Sequence, residues 1–254
     1  MQRIGQLTTF LLLTFALQSF GQDRLSNMFN HYEQSADDEE RDSLWNMIIT
    51  EFETELQTKN FGKIIPQNLR HINIMQYNSE NGVFASHTIS RGFAEHWNYI
   101  TRKNPDNTNE IILKEEDANP FYIEIHDLSK DEFLLLTKYI DMSFSCYSAY
   151  VMKVENNYTI KQDAFNNTQD VLFVCSWTNV DESYLGKPDP VTGLPTIEGK
   201  MAHYQPIPIL FDPKNKTISY SFYSLKNGKK ITRKAKYKNE KFKIKSYDAR
   251  TFEE

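Results

Sequence analysis

"TISYSFYSLKNGKKITRKAKYKNEKFKIKSYD", residues 217–248, decides how this chain folds. Ile218, Tyr220 and Phe222 alternate with polar residues, as do Ala235 and Tyr237, then Phe242 and Ile244. Strict alternation marks a strand with one buried face. The pattern breaks at Asn227-Gly228 and at Asn239-Glu240. Asn-Gly is the strongest short-range hairpin signal, because both residues tolerate the positive φ that a tight turn needs. Three antiparallel strands are therefore predicted. Tyr237 should meet Phe242, Ala235 should meet Ile244, Ile218 should meet Tyr237, and Tyr220 should meet Ala235.

That alignment collects Lys234, Lys236, Lys238, Lys241, Lys243 and Lys245 on the opposite face, extended by Ser219, Ser221 and Tyr223. Lys238 is expected opposite Lys241, Lys236 opposite Lys243, and Lys234 opposite Lys245. Like charges directly opposed destabilise a sheet. Three resolutions stand open. The lysines can splay into water and guard an edge against aggregation. They can face the acidic stretch Asp37–Glu55. They can bind an external anion.

Upstream of this stretch the period of two persists back to about residue 63. "HINIMQY" and "VFASHTIS" flank Asn81-Gly82, "FYIEIHDL" and "EFLLLTKY" flank a Ser-Lys-Asp turn, and "SFSCYSAYVMKV", "YTIKQDAF" and "DVLFVCSWTNV" follow. Strands joined by short turns without intervening helices imply an antiparallel meander. Residues 181–205 stand apart as a long connection rich in Pro and Gly.

Residues 24–58 carry the helical period instead, strongest in Leu44, Trp45, Ile48, Ile49, Phe52 and Leu56. Ser35, Asp37 and Asp38 supply a capping region with acids in the first turn. The polar face is acidic, which argues for a stripe docked on the β domain rather than a membrane-surface helix. Before it, "MQRIGQLTTFLLLTFALQSFGQD" has one Arg, a short apolar run, and small residues at Ser19 and Gly21. This reads as a secretory signal peptide over residues 1–21, too short in its apolar run to span a membrane. The expectation is a soluble exported protein, periplasmic or extracellular, beginning at Gln22.

The formal net charge is −5, so overall charge names no partner. Its distribution is more informative: acids crowd Glu33–Glu55 and bases crowd Lys214–Lys245. The two cysteines, Cys146 and Cys175, would favour a disulfide by compartment. A simple three-strand meander over 143–178 separates them by two strands, beyond the ~7 Å that a bridge allows. On that geometry both are expected free, on non-adjacent strands.

The histidines, at positions 31, 71, 87, 96, 126 and 203, have no HxH or HxxxH spacing. In "EIHD", His126 and Asp127 should point to opposite faces of a strand and cannot share a metal from there. "NPDNTNE", residues 104–110, lacks the glycine and the distal Glu of a calcium loop and reads as a polar turn. No nucleophile elbow, zincin or phosphate-loop motif occurs. Glu115, Glu116 and Asp117 read as ordinary exposed charge. No catalytic residue, metal or cofactor is expected.

The run "YIEIHDLSKDEFLLLTKYIDMSFSCYSAYVMKVENN", residues 122–157, resembles a stretch of uncharacterised secreted β-rich proteins of Bacteroidetes bacteria. There too an acidic-polar turn precedes an "LLL" strand and then a strand of small and aromatic residues. The resemblance implies export and a β-rich fold, and no site.

The sequence thus predicts a mainly β protein: signal peptide 1–21, helical segment 22–62, and an antiparallel β domain over 63–254. A sandwich or strongly curved sheet is expected, with a barrel as the alternative. The leading function is a non-catalytic binding protein that uses the lysine face, with Tyr223, for an anionic polysaccharide, a lipid headgroup or an acidic protein. Nucleic acid is disfavoured by the single aromatic on that face. The alternative is a hydrolase of envelope or extracellular polymer.

Overall fold

The computed structural model describes residues 24–58, 69–92, 95–116, 120–140, 145–155, 158–165, 171–175, 185–188, 195–197, 207–223 and 230–244. The expected signal peptide, Lys245 and the Asn227-Gly228 turn lie outside them.

The chain is mainly β and antiparallel. Among the described residues, helices α1 (24–34) and α2 (Asp38–Leu56) precede fifteen strands. Strands β1 (Ile72–Asn78), β2 (Phe84–Arg91), β3 (Glu95–Lys103) and β4 (Asn109–Glu115) form a first sheet in sequence order. A second runs β5 (Phe121–Asp127), β6 (Glu132–Ile140), β7 (Ser145–Glu155), β8 (Tyr158–Lys161), with β9 (Val171–Cys175) also on β7. The third is β12 (Leu210–Asp212), β13 (Thr217–Tyr223), β14 (Lys230–Lys238) and β15 (Lys241–Phe242). Within residues 181–205, read above as one long connection, β10 (Leu185–Pro188) and β11 (Pro195–Ile197) make a separate pair. The sheets formed by the described residues are open, and none closes into a barrel.

Side-chain alternation turns these sheets into a stack of layers with three cores. Helix residues Leu25, Phe29, Trp45, Ile48, Phe52 and Leu56 pack on Ile72, Ile89 and Tyr99 of the first sheet. The other face of that sheet gives Phe84, Ile100 and Ile112 to a core shared with Phe133, Leu135, Met152 and Val154. The far side of the second sheet gives Leu134, Leu136, Ala149, Val151 and Leu172 to a core shared with Ile218, Tyr220, Phe222, Ala235 and Phe242. Strand β6 is covered on both faces, which is why "FLLL" is a continuous apolar run instead of an alternating one.

Helix α2 starts where the sequence places its cap. The Asp37 side chain accepts from the N–H groups of Glu39 and Glu40, satisfying two donors that a helix start leaves unpaired. Its acids then fix the docking. Asp42 pairs with Arg91, Glu53 with Lys114 at 2.8 Å, and Glu51 with Arg24 at 3.4 Å.

The cysteines require a correction. Cys146 is disulfide-bonded, and Cys175, the only other cysteine, is its register partner. The expected meander fails because β9 pairs with β7, not with β8. Strand β8 covers only Met152–Glu155 of β7. The chain then leaves the edge, burying Ala164 and Phe165 completely in the third core, and returns to cover Cys146–Tyr150. That detour lets both short strands share one edge of a long strand.

Candidate functional site

Strands β13 and β14 pair as expected in kind but with a different register. Ile218 meets Ala235 and Tyr220 meets Arg233, where the sequence reading has Tyr237 and Ala235. A slip of two residues keeps every side chain on its face, so the division into faces survives. The last described pair is Tyr223↔Lys230, and the Asn227-Gly228 turn lies outside the described residues.

Strand β15 forms only the pairs Tyr237↔Phe242 and Lys238↔Lys241. The expected pair Lys236–Lys243 is not part of this ladder, and the expected Lys234–Lys245 pair falls outside the described residues. Phe242 turns instead to Phe165, donating its N–H to the Ala164 carbonyl at 2.8 Å and stacking at 5.4 Å. Core burial of two phenylalanines wins over continuation of an edge strand, and among the described residues Lys238 and Lys241 are the one lysine pair directly opposed.

The lysine face itself is present. Lys234, Lys236, Lys238 and Lys243 are exposed and Lys241 is half-buried. Lys230 joins the same row, one face of the strand with Lys234 and Lys236. Tyr223 is its register partner. Across the ladder, Ser219 meets Lys234 and Leu210, while Thr217 meets Lys236 and Asp212. Leu210 is 59% exposed, an apolar spot at the margin of the row. The Asp212 carboxylate accepts from the side chain and backbone of Asn215, whose hydrogen bonds hold its pKa below the usual range. Among the described residues, Lys234, Lys236, Lys238 and Lys243 make no ion pair. Of the acids of α2, the expected internal partners, Asp42 and Glu53 are engaged by Arg91 and Lys114 of the first sheet and Glu51 by Arg24 of α1.

A second cluster bears on catalysis. The β1–β2, β5–β6 and β12–β13 turns meet at a cleft of about 420 Å³ lined by Glu80, Asp127, Ser129, Lys214 and Lys216. Beside it, His126 is held between Glu80 and Glu124, with Phe211 of β12 on its ring at 4.8 Å. Glu80 also accepts from the Asp127 N–H at 3.0 Å. Burial works against the charge of His126 and Glu80, yet the hydrogen bonds to Glu124 and Glu80 raise the His126 pKa, and the hydrogen bond to His126 lowers that of Glu80. These are the shifts of a stable ion pair. A general base needs a nitrogen able to take a proton, and both His126 nitrogens already face carboxylates. The cluster therefore reads as a clamp joining the three sheets. Sequence reasoning missed it because Glu80 lies 46 residues from His126. Among the described residues, no three His, Cys, Asp or Glu side chains are arranged to hold a metal ion. No protein-family model matches this chain, and no curated protein matches it.

Proposed function

We propose that the chain is an exported, non-catalytic binding protein whose outermost sheet holds an extended anionic polysaccharide. The observation that carries the reading is the row Lys230, Lys234, Lys236 and Lys238 along one strand, exposed and, among the described residues, without an ion pair. At ~3.4 Å per residue the row runs for roughly 25 Å. A line of charge fits a linear polymer better than a single lipid headgroup, and Ser219 and Thr217 beside it offer hydroxyls to sugar oxygens. The saturated His126 clamp supports binding over hydrolysis.

The test is retention on an immobilised anionic polysaccharide such as heparin, with anionic lipid vesicles as a separate arm. Retention should be strong at low salt and lost near ~1 M salt, where charges are screened beyond ~3 Å. Lys234→Glu with Lys236→Glu should abolish it with the fold unchanged. Absence of salt-sensitive retention in the unmodified protein refutes the reading. Vesicle binding without polysaccharide binding would reassign the face to membrane headgroups.

A further inference from the structure

The helix-side face of the first sheet changes character along its strands. Under the helices it shows Ile72, Ile74, Ile89, Trp97, Tyr99 and Ile111. Beyond the end of α2, the same face of the same strands shows Gln76 and Asn78, then Ala85 and His87, then Thr101 and Lys103, then Asn109. Asn109 marks the boundary: its side-chain amide donates to the carbonyls of Leu56 and Thr58, closing the helix C-terminus. These residues line a cleft of about 460 Å³, rimmed by Gly82 and Asn107 in two turns. Both turn residues have positive φ, 64° and 67°.

The chemistry of the lining is uniform. Four carboxamides, from Gln76, Asn78, Asn107 and Asn109, surround a floor made by His87 and Thr101, whose polar atoms lie 3.0 Å apart. Gln76 and Asn78 stand together on one wall, with Nε2 3.5 Å from Oδ1. His87 is buried, and that burial pushes its pKa down to about 3, so the floor is uncharged at physiological pH. Lys103 is the only charged residue lining the cleft among the described residues, and it is exposed. Val83 and Phe84 belong to the core on the other side of the sheet, which leaves Ala85 as the apolar contact.

We propose that this cleft binds a neutral, hydroxyl-rich ligand of mono- to disaccharide size. A carboxamide offers a donor and an acceptor side by side, matching a hydroxyl group that is both; Asn109, whose N–H groups go to Leu56 and Thr58, offers its oxygen alone. The volume falls in the range of small-molecule sites, but such sites are mostly apolar, and this one is not. An apolar ligand or a peptide side chain would find no greasy wall here, and a nucleobase no aromatic platform. The cleft is at the helix end of the layer stack and the lysine face at the other, so this assignment does not rest on the proposed function.

The experiment is an NMR titration of the full chain with glucose and with N-acetylglucosamine, carried to ~20 mM against an expected Kd on the order of 1 mM. Saturable shifts are expected at Ala85, His87 and Thr101. Ala85→Leu should fill the floor and abolish them. Gln76→Ala, at a half-buried wall position, should weaken binding about tenfold and guards against misfolding of the first variant. Two results would overturn the proposal. One is no saturable shift with either neutral sugar. The other is shifts seen only with glucuronate and erased by salt, which would reduce the cleft to the charge of Lys103.

Discussion

The two ends of the layer stack use charge in opposite ways. At the helix end acids of α2 pair with the first sheet: Asp42, together with Glu95 of β3, grips Arg91, and Glu53 takes both Lys114 and the Tyr99 hydroxyl. Arg91 in turn lies 5.6 Å from the Trp45 ring. At the other end Lys230, Lys234, Lys236 and Lys238 stand in a row with no ion pair among the described residues. The same kind of charge therefore docks an element at one end and stays available at the other. Mutations should separate the two: large stability effects at the helix end, binding effects at the lysine end.

The strongest test is Trp45→Ala. Trp45 is 1% exposed and lies against Tyr32 and Trp97, with ring centroids at 5.8 and 5.3 Å. Emptying this site should cost roughly 3–5 kcal/mol in urea unfolding. A loss below ~0.5 kcal/mol would mean the helices do not dock and would end the comparison.

Next comes the disulfide. Cross-linking Cys146 and Cys175 closes a loop of about thirty residues, which in the chain-entropy account contributes roughly 3–4 kcal/mol. Cys146→Ala with Cys175→Ala should lower stability by that order, and titration of unfolded, unreduced protein should find no free thiol. Two free thiols would restore the simple meander and remove the β9 pairing.

What the sequence makes legible follows from range. Helix α2, its Asp37 cap and its buried stripe are local signals, and so is the alternation of β13 and β14. Strand β4 is harder to see because the bulge at Ile100/Thr101 breaks its period: Ile112 and Leu113 go to one core and Ile111 to another. The return of β9 to β7 is a decision between non-local pairings, made by the burial of Ala164 and Phe165 rather than by any turn signal. The carboxamide-lined cleft needed four strands in register before its side chains could be seen as neighbours.

The His126 clamp offers a smaller and pH-dependent effect. The groups around it are Glu80, Glu124, Asp127, Lys214 and Lys216. A raised histidine pKa gives stability that is complete below the ordinary value of 6.5 and lost as pH rises through the folded value. A lowered glutamate pKa gives stability that is complete above 4.5 and lost as pH falls through the folded value. The clamp is therefore strongest between about pH 4.5 and 6.5. His126→Ala should cost ~1–2 kcal/mol at pH 5.5 and less at pH 8.5, by thermal unfolding. An equal cost at both pH values would assign His126 a packing role against Phe211 alone.

The smallest stability effect carries the sharpest functional contrast. Lys238 and Lys241 are directly opposed on β14 and β15, and like charges in that position repel. Lys238→Glu turns repulsion into attraction and should stabilise the protein by a few tenths of a kcal/mol, up to ~1. Lys236→Glu, opposite Thr217, removes no repulsion across the ladder and should leave stability within ~0.5 kcal/mol. Both should weaken retention on the anionic polysaccharide. A protein that gains stability while losing binding is what an unpaired lysine row kept for a partner predicts. If Lys238→Glu is more stable and retention is untouched, the row is a solvated edge that only resists aggregation. If it is less stable, a counter-charge holds Lys238 in the folded protein, and the contrast between the two ends of the stack fails.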